Sequence, residues 1–477
     1  MARAKKIPLI TDFNHIPAEA LVPEEEQPYP LPAHWKWVRL KWLCAINPPK
    51  PKVIAYPVTT EVNFIPMASV SEAYGAVVNL ELRPLEQVAK GYTSFRDNDV
   101  ILAKITPCFE NGKSAVIPRV KYGFGYGSTE FYVLRCGKLL DPMFLHLLVR
   151  QQKFIIQGKA VMTGAVGQQR VPKAFLENYP FPLPPIEEQK QIVAYLDEKL
   201  GKIDSVRGKL QDFLDHAAQR KDNLIQAGVT GHLTEKWREE HLSEASQDTE
   251  LPEGSLVPEE EQPYPIPAHW KWVRLGALIE LVRGVTYKKN EIIETGSPDA
   301  VLVLRGGNVR EGAISLDSDN VYVPKGIIKE AQLVRKNDVV IVSSTGSSKV
   351  IGRAGVSDKT YSDVAFGAFL TLCRSASLAL DKRYLATYFQ SSLYRTVIRN
   401  LAAGVNINNI KGDHLRDLVF PLPPMGEQEE IARILDEQLE RIERTDKLVA
   451  EVLKRLDTMK QQIVSAALAG RLSLQIS

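Results

Sequence analysis

The stretch Asn47-Pro48-Pro49 is the first place in this chain where residue types suggest chemistry. An asparagine amide ahead of two prolines and an aromatic ring can hold a target amine while the ring stacks on a flipped base. Lys50 stands where the ring is needed and no glycine-rich cofactor loop accompanies it, so the stretch reads as a proline-rich turn. The pattern Gly-x-x-x-x-Gly-Lys-Ser/Thr is absent, and ATP hydrolysis by this chain is not expected. Asp197-Glu198-Lys199 offers nuclease-type carboxylates, but it lies in a helical run whose alternating charges suit a solvated flank. Cys44, Cys108, Cys136 and Cys373 show no CxxC spacing, and with eight scattered histidines they form no metal-binding pattern. A reducing cytoplasm is the natural setting, and no run of eighteen apolar residues suggests a membrane span.

The elements that would position any functional residue occur twice. Val22–Leu40 and Val257–Leu275 are the same nineteen residues except for Leu31 and Ile266. Further on, Asp99, Arg135 and Lys221 recur as Asp338, Arg374 and Lys460, each 239 positions later. Two large copies, unlike a stack of short repeats, predict a molecule of approximate two-fold symmetry. The segments run 1–40 (a Pro-rich arm), 41–180 (a globular block), 181–234 (a long helix), 235–275 (an acidic linker and repeated arm), 276–419 (a second block) and 420–477 (a second long helix).

Net charge is only +3, but its distribution is uneven. Residues 41–180 carry 17 Lys and Arg against 10 Asp and Glu, residues 276–419 carry 19 against 14, and residues 235–275 carry 4 against 10. The blocks are basic and the linker acidic, which suits a polyanionic partner. Apolar runs at Val100–Ala103, Phe131–Leu134, Val301–Leu304 and Val339–Val342, bounded by Asp, Asn, Gly and Pro, predict strands. Helical spacing follows at Met143–Ile156 and Arg383–Ile398, so each block should be a mixed α/β domain in an α+β chain. In the arms, proline predicts an extended path pinned by Trp35-Lys36-Trp37 and Trp270-Lys271-Trp272.

The long helices carry the strongest periodic signal. Leu196, Ile203, Leu210, Ala217 and Leu224 stand seven apart, as do Leu435, Ile442, Val449, Leu456 and Ile463. Each run opens on Pro-Pro and acidic residues (Glu187 and Glu188; Glu427) and closes near glycine (Gly228 and Gly231; Gly470). From Pro185 to Val229 such a helix would extend roughly 65 Å, too far to bury its stripe against its own block. Antiparallel pairing of the two copies is the economical solution, relating the blocks by a pseudo-dyad; a homodimeric coiled coil is the alternative.

The arm, the block and a proline-led helix opening Pro-Leu-Pro-Pro-x-x-Glu-Gln, at Pro182–Gln189 and again at Pro421–Gln428, closely resemble the specificity subunit of type I restriction-modification enzymes. The resemblance spans nearly the whole chain, including Gly231-His232-Leu233-Thr234, Gly470-Arg471-Leu472-Ser473 and the strands at Asp99–Lys104 and Asp338–Ile341. It implies two target-recognition domains, each reading half of a bipartite duplex DNA sequence, with the paired helices as a ruler across an unread spacer. It also implies modification subunits, two copies being expected, that methylate adenine with S-adenosylmethionine, and restriction subunits that use ATP and Mg. This chain would bind none of those cofactors and supply the address only. The rival reading is a coiled-coil scaffold without DNA specificity; a self-sufficient nuclease or methyltransferase is disfavoured by the missing motifs.

Four stretches are candidate DNA readers. In the first block they are Thr106 to Ser114, with Thr106, Glu110, Asn111, Lys113 and Ser114, and then Gln168, Gln169 and Arg170. In the second block Ser343, Ser344, Thr345, Ser347, Ser348 and Lys349 occupy the position of the first loop, and Asn406, Asn408 and Asn409 that of the glutamines. Arg305, Asn308 and Arg310 are weaker candidates. Asn and Gln can bond adenine N6 and N7 together, Arg can do so with guanine, and Ser and Thr suit phosphate. The asparagines can equally stabilise a turn.

Overall fold

The computed structural model describes residues 7–73, 75–165, 167–241, 251–317, 320–402 and 408–472. The chain forms two compact units, one of Met1–Gln211 with Glu451–Ser477 and the other of Asp212–Ala450. Each unit therefore combines an arm and a block with parts of both long helices, although the copies succeed one another in sequence.

In the first unit the arm ends in strand β1 (Lys36–Arg39), antiparallel to β10 (Pro180–Leu183), with Trp37 opposite Pro182. A two-stranded ribbon tolerates prolines because their missing donors need not serve a ladder on both sides. Trp35 and Trp37 are buried, and Tyr29 packs edge-on to Trp37 at 4.9 Å. The block holds two four-stranded sheets. One is β2 (Cys44–Ile46), β9 (Phe131–Cys136), β6 (Val100–Ala103) and β7 (Ser114–Val116), in that order and antiparallel throughout. The other runs β4 (Glu81–Pro84), β3 (Glu61–Ile65), β8 (Phe124–Gly127), β5 (Thr93–Arg96), with β3 and β8 parallel. Every residue of β6 is buried, as its unbroken apolar run requires.

At the start of β6, Asn98 takes a left-handed turn (φ 64°), and Asp99 accepts two bonds from Arg135, Nε to Oδ1 at 2.8 Å and Nη2 to Oδ2 at 2.7 Å. The second block repeats this with Asn337 (φ 66°), Asp338 and Arg374, at 2.8 and 2.5 Å. The clamp fixes one end of the central strand. The candidate reading loop leaves from the other end.

The second unit follows the same plan. Strand β11 (Lys271–Arg274) pairs with β21 (Val419–Leu422). A four-stranded sheet has the order β12 (Ile279–Arg283), β19 (Leu370–Ser375), β15 (Val339–Val342), β17 (Ala354–Val356). The smaller sheet has three strands, β14 (Val321–Pro324), β13 (Ala300–Leu304) and β18 (Val364–Phe366). Helices Pro142–Val149 and Gln152–Ala160 in the first block, and Lys382–Gln390 and Ser392–Ala402 in the second, lie where helical spacing predicts them. Asp141 and Asp381 cap the leading helix of each pair by accepting main-chain N–H bonds.

The proline-led motif now has a physical account. Gln189 is buried; its Oε1 accepts from Asp141 N at 2.9 Å, and its Nε2 donates to Leu139 O and Pro184 O at 2.8 and 2.9 Å. Gln428 makes the same three bonds with Asp381, Ala379 and Pro423. Each glutamine thus splices the start of the long helix to its block. The glutamate before it holds the arm: Glu188 accepts from Trp35 Nε1 at 3.1 Å, and Glu427 from Trp270 Nε1 at 2.8 Å.

Within each unit the helices pair antiparallel. In the first, Lys460 reaches Asp204 at 2.5 Å and Arg207 reaches Asp457 at 3.1 Å; in the second, Arg220 meets Asp446 at 2.7 Å and Lys221 meets Glu443 at 3.0 Å. One number rises as its partner falls, as antiparallel packing demands, and the contacts are intrachain rather than homodimeric. Leu196, Ile203 and Leu435 are buried, and a fully buried leucine contributes about 1.5–3 kcal/mol. Leu210, Leu224, Ile442, Val449, Leu456 and Ile463 are half-buried, the pattern of a seam covered by a single partner helix.

The first helix is not one uninterrupted rod: Ile186–Asp215 and Ala217–Thr230 are separated at His216, whereas Met425–Leu468 is continuous. The His216 Nδ1 lies 2.6 Å from Asp212 O, and Arg220 donates to Phe213 O, so side chains compete for carbonyls of the helical ladder. Gly228 lies within the helix, where an added Cβ would come 3.1 Å from Leu435 Cδ1. The capping glycines are Gly231 (φ 85°) and Gly470 (φ 66°), whose added Cβ atoms would lie 2.6 and 2.4 Å from Pro267 and Pro32 of the arms.

His146 lies in the first block's core, and burial, with Arg150 nearby, pushes its imidazole down to about 4. An unfolded imidazole protonates near 6.5, so acid favours the unfolded chain once the pH falls below that value, until the folded group titrates near 4. His146→Leu should abolish a pH-dependent loss of roughly 3 kcal/mol across that window. Urea denaturation of both chains at pH 7 and pH 4.5 checks this, and identical pH dependence would refute it.

Candidate nucleic-acid interface

In the first block the two candidate stretches come together. Thr106 N donates to Gln169 O at 3.0 Å, Gln169 N donates to Thr106 Oγ1 at 3.2 Å, and Ile105 bridges Arg170. The loop after β6 thereby lies edge to edge with the glutamine segment. Arg170 is held rather than poised: Nε and Nη2 each reach Glu130 at 2.9 Å and Nη1 reaches Gln168 O at 3.1 Å. The Arg170 guanidinium beside Glu130 also lowers that carboxyl's pKa.

The remaining candidates divide between framework and surface. Glu110 pairs with Lys159 at 2.5 Å, Asn111 Nδ2 donates to Glu72 Oε1 at 3.0 Å, and Lys113 lies 3.6 Å from Glu72. Arg150 staples the loop after β6 to the segment at Glu72, donating to Gly112 O at 3.1 Å and to Glu72 O at 2.9 Å. Ser114 does not belong to the surface: it is buried in β7, with its hydroxyl donating to Gly112 O at 3.3 Å. Gln168 and Asn111 are the exposed candidates of this block, and Gln169 is half-buried.

The second block reaches the same juxtaposition with a true ribbon. Strand β16 (Ser344–Thr345) pairs with β20 (Asn408–Asn409), Ser344 opposite Asn409 and Thr345 opposite Asn408, and Ile410 N donates to Ser343 O at 2.8 Å. Asn406 lies outside the described residues. The loop beyond β16 is anchored by Arg395, which donates to Ile351 O at 2.9 Å and Lys349 O at 3.2 Å, and Ser347 N donates to Thr345 Oγ1 at 3.3 Å. Ser348, Lys349 and Asn409 are exposed on this assembly.

Two candidates here are framework. Asn308 is 1% exposed; its Oδ1 accepts from Arg305 N at 2.7 Å and its Nδ2 donates to Ser315 O at 3.1 Å, closing the loop after β13 from within. Ser343 is also buried, its hydroxyl donating to Phe369 O at 3.0 Å. Arg305 and Arg310 remain exposed. Asn47 likewise spends its amide internally, accepting from Val133 N at 3.0 Å, as a structural turn does. Among the described residues no cluster of His, Cys, Asp or Glu could hold a metal ion, and no helix is long and apolar enough to cross a membrane.

Two copies of one mixed domain, each pairing two polar loops beside a central strand and each tied to long helices, define a duplicated recognition chain. The family model described as the type I restriction modification DNA specificity domain matches residues 32–212 and 267–454, and the chain belongs to that family, with its domain present twice. It is 27% identical to the type I restriction enzyme EcoAI specificity subunit of Escherichia coli over 88% of this chain and 80% of that one. It is 33% identical to the EcoKI specificity subunit of Escherichia coli strain K12 over 44% of each. The fold matches the HsdS subunit from Thermoanaerobacter tengcongensis with a TM-score of 0.64 at 21% identity, covering 94% of this chain and 100% of that one. A chain solved in work on assembly and conformational transition of the type I R-M system matches with a TM-score of 0.68 at 21% identity, over 93% and 100%.

Proposed function

We propose that each block reads one half of an asymmetric, bipartite duplex DNA sequence and that the chain performs no chemistry of its own. The observation that carries this reading is the shared backbone juxtaposition with different exposed side chains, Gln168 and Asn111 in one block and Ser348, Lys349 and Asn409 in the other. Amide side chains offer base-edge bonds and lysine and serine suit phosphate, so unlike sets predict unlike half-sites. The long helices set the unread spacer and, with the domain flanks, dock two modification subunits and the restriction subunits. S-adenosylmethionine, ATP and Mg are then bound by those partners, in the cytoplasm.

Co-expression with a modification subunit in a methylation-free host, followed by single-molecule mapping of methylated adenine, tests the reading. A single asymmetric bipartite motif is expected, and inserting one helical turn into either long helix should change its spacer while leaving both half-sites intact. An unchanged spacer would remove the ruler. Absence of any motif from a soluble, associated complex would favour a protein scaffold.

A further inference from the structure

Phe369 is 70% exposed, in the turn Gly367 to Leu370 that joins β18 to β19. Its main chain is rigidly held, because its carbonyl accepts from Ser343 N at 3.0 Å, Ser344 N at 3.1 Å and Ser343 Oγ at 3.0 Å. Those serines adjoin the ribbon whose other strand carries Asn409, so an exposed aromatic residue stands on the turn bonded to that ribbon's edge. The equivalent position in the first block is Glu130, whose carbonyl accepts the same bond from Lys104 N at 2.9 Å. There the side chain locks Arg170 in place. The framework is shared, and the second block presents a ring to solvent where the first closes a clamp.

We propose that Phe369 is a specificity-determining residue whose ring packs against the 5-methyl group of a thymine in the half-site read by the second block; this rests on the DNA-reading function above. The thymine methyl is the apolar feature of the major-groove edges, and phenylalanine is among the side chains that contact it. With its backbone already pinned by three hydrogen bonds, only the two side-chain torsions of Phe369 are left to be fixed on contact, which favours discrimination over mere stickiness.

The test uses the full chain co-purified with its modification subunits and a pool of randomised duplexes. The wild-type complex should select a motif with thymine at one position of the second block's half-site. Phe369→Ala should lose preference at that position alone, and Phe369→Leu should retain part of it. Replacing that thymine by deoxyuridine should weaken wild-type binding about three- to tenfold, the scale of one lost methyl contact, and leave Phe369→Ala within twofold. An unchanged Phe369→Ala motif, a half-site without thymine, or equal wild-type binding of both bases would overturn the inference. Loss of preference across the whole half-site with deoxyuridine tolerated would also overturn it, pointing to a wedge between base pairs. If the wild-type complex selects no motif, the DNA-reading function itself fails.

Discussion

Replacing Glu427 by alanine is expected to destabilise the second unit by about 3 kcal/mol, the low end of the cost of breaking a buried ion pair, because the Arg238 side chain left behind is 14% exposed. The Glu427 carboxylate is wholly buried and accepts four donors: Arg238 Nη1 at 2.6 Å, Thr234 Oγ1 at 2.7 Å, Trp270 Nε1 at 2.8 Å and His269 Nε2 at 2.9 Å. Its removal strands Arg238 and the indole N–H together and loosens the arm from the helix. The matching change in the first unit, Glu188→Ala, should cost roughly 1 kcal/mol, because its side chain is 22% exposed and water can replace it. Hydrogen exchange resolved by peptide reads both effects: residues 264–275 should exchange faster in Glu427→Ala, with a much smaller change at residues 29–40 in Glu188→Ala. Equal losses in the two arms would refute this account.

Exchanging residues 276–419 for the corresponding block of a relative with a different target should replace one half of the methylation motif and leave the other intact. Affinity for the original duplex should fall by about a thousandfold or more, the ratio that separates specific from non-specific binding. The expectation rests on how locally each reading surface is built. Arg395, Ser343 and Ile410 hold the second block's loops using only residues of that block, and Arg150, Thr106 and Gln169 do the same in the first. Point changes should act on a smaller scale within the same logic: Gln168→Ala and Asn409→Ala should each relax one position of one half-site by about 10- to 100-fold. Mapped methylation motifs and competition binding give both readouts. A uniform loss of affinity for all DNA would instead assign those side chains to phosphate contact.

Much of the framework was legible because its signals are local. Val100–Ala103 and Val339–Val342 read as buried strands from apolar runs between turn residues, and the leucine heptads announced paired helices. The Pro-Leu-Pro-Pro-x-x-Glu-Gln motif was recognisable, but its purpose was not, because Trp35 lies 153 residues from Glu188 and Trp270 lies 157 from Glu427. Among the candidate readers, residue type alone failed to distinguish a surface group from an internal one. Ser114, Asn308 and Ser343 are polar, loop-adjacent and yet buried, each bonded to nearby main chain. Phe369 was missed for the converse reason, since an apolar residue beside a strand reads as core. Comparing the copies position by position, with Glu130 against Phe369, is the signal that would have found it.

The composition of the first compact unit bears on the order in which the protein forms. Its apolar core joins Trp35, Phe181, Ile192 and Leu196 to Ala467 and Leu468, and Tyr29 donates to Leu468 O at 3.3 Å. Closing that core means bringing together groups more than 250 residues apart, whereas the second unit draws on one unbroken stretch, Asp212–Ala450. During synthesis from the amino terminus, the second unit has all its residues once position 450 emerges, and the first waits for the final turns of the last helix. The half of the molecule that is made first is therefore the half that finishes last, and a ribosome that stops near residue 450 leaves the apolar faces of the first arm and helix uncovered.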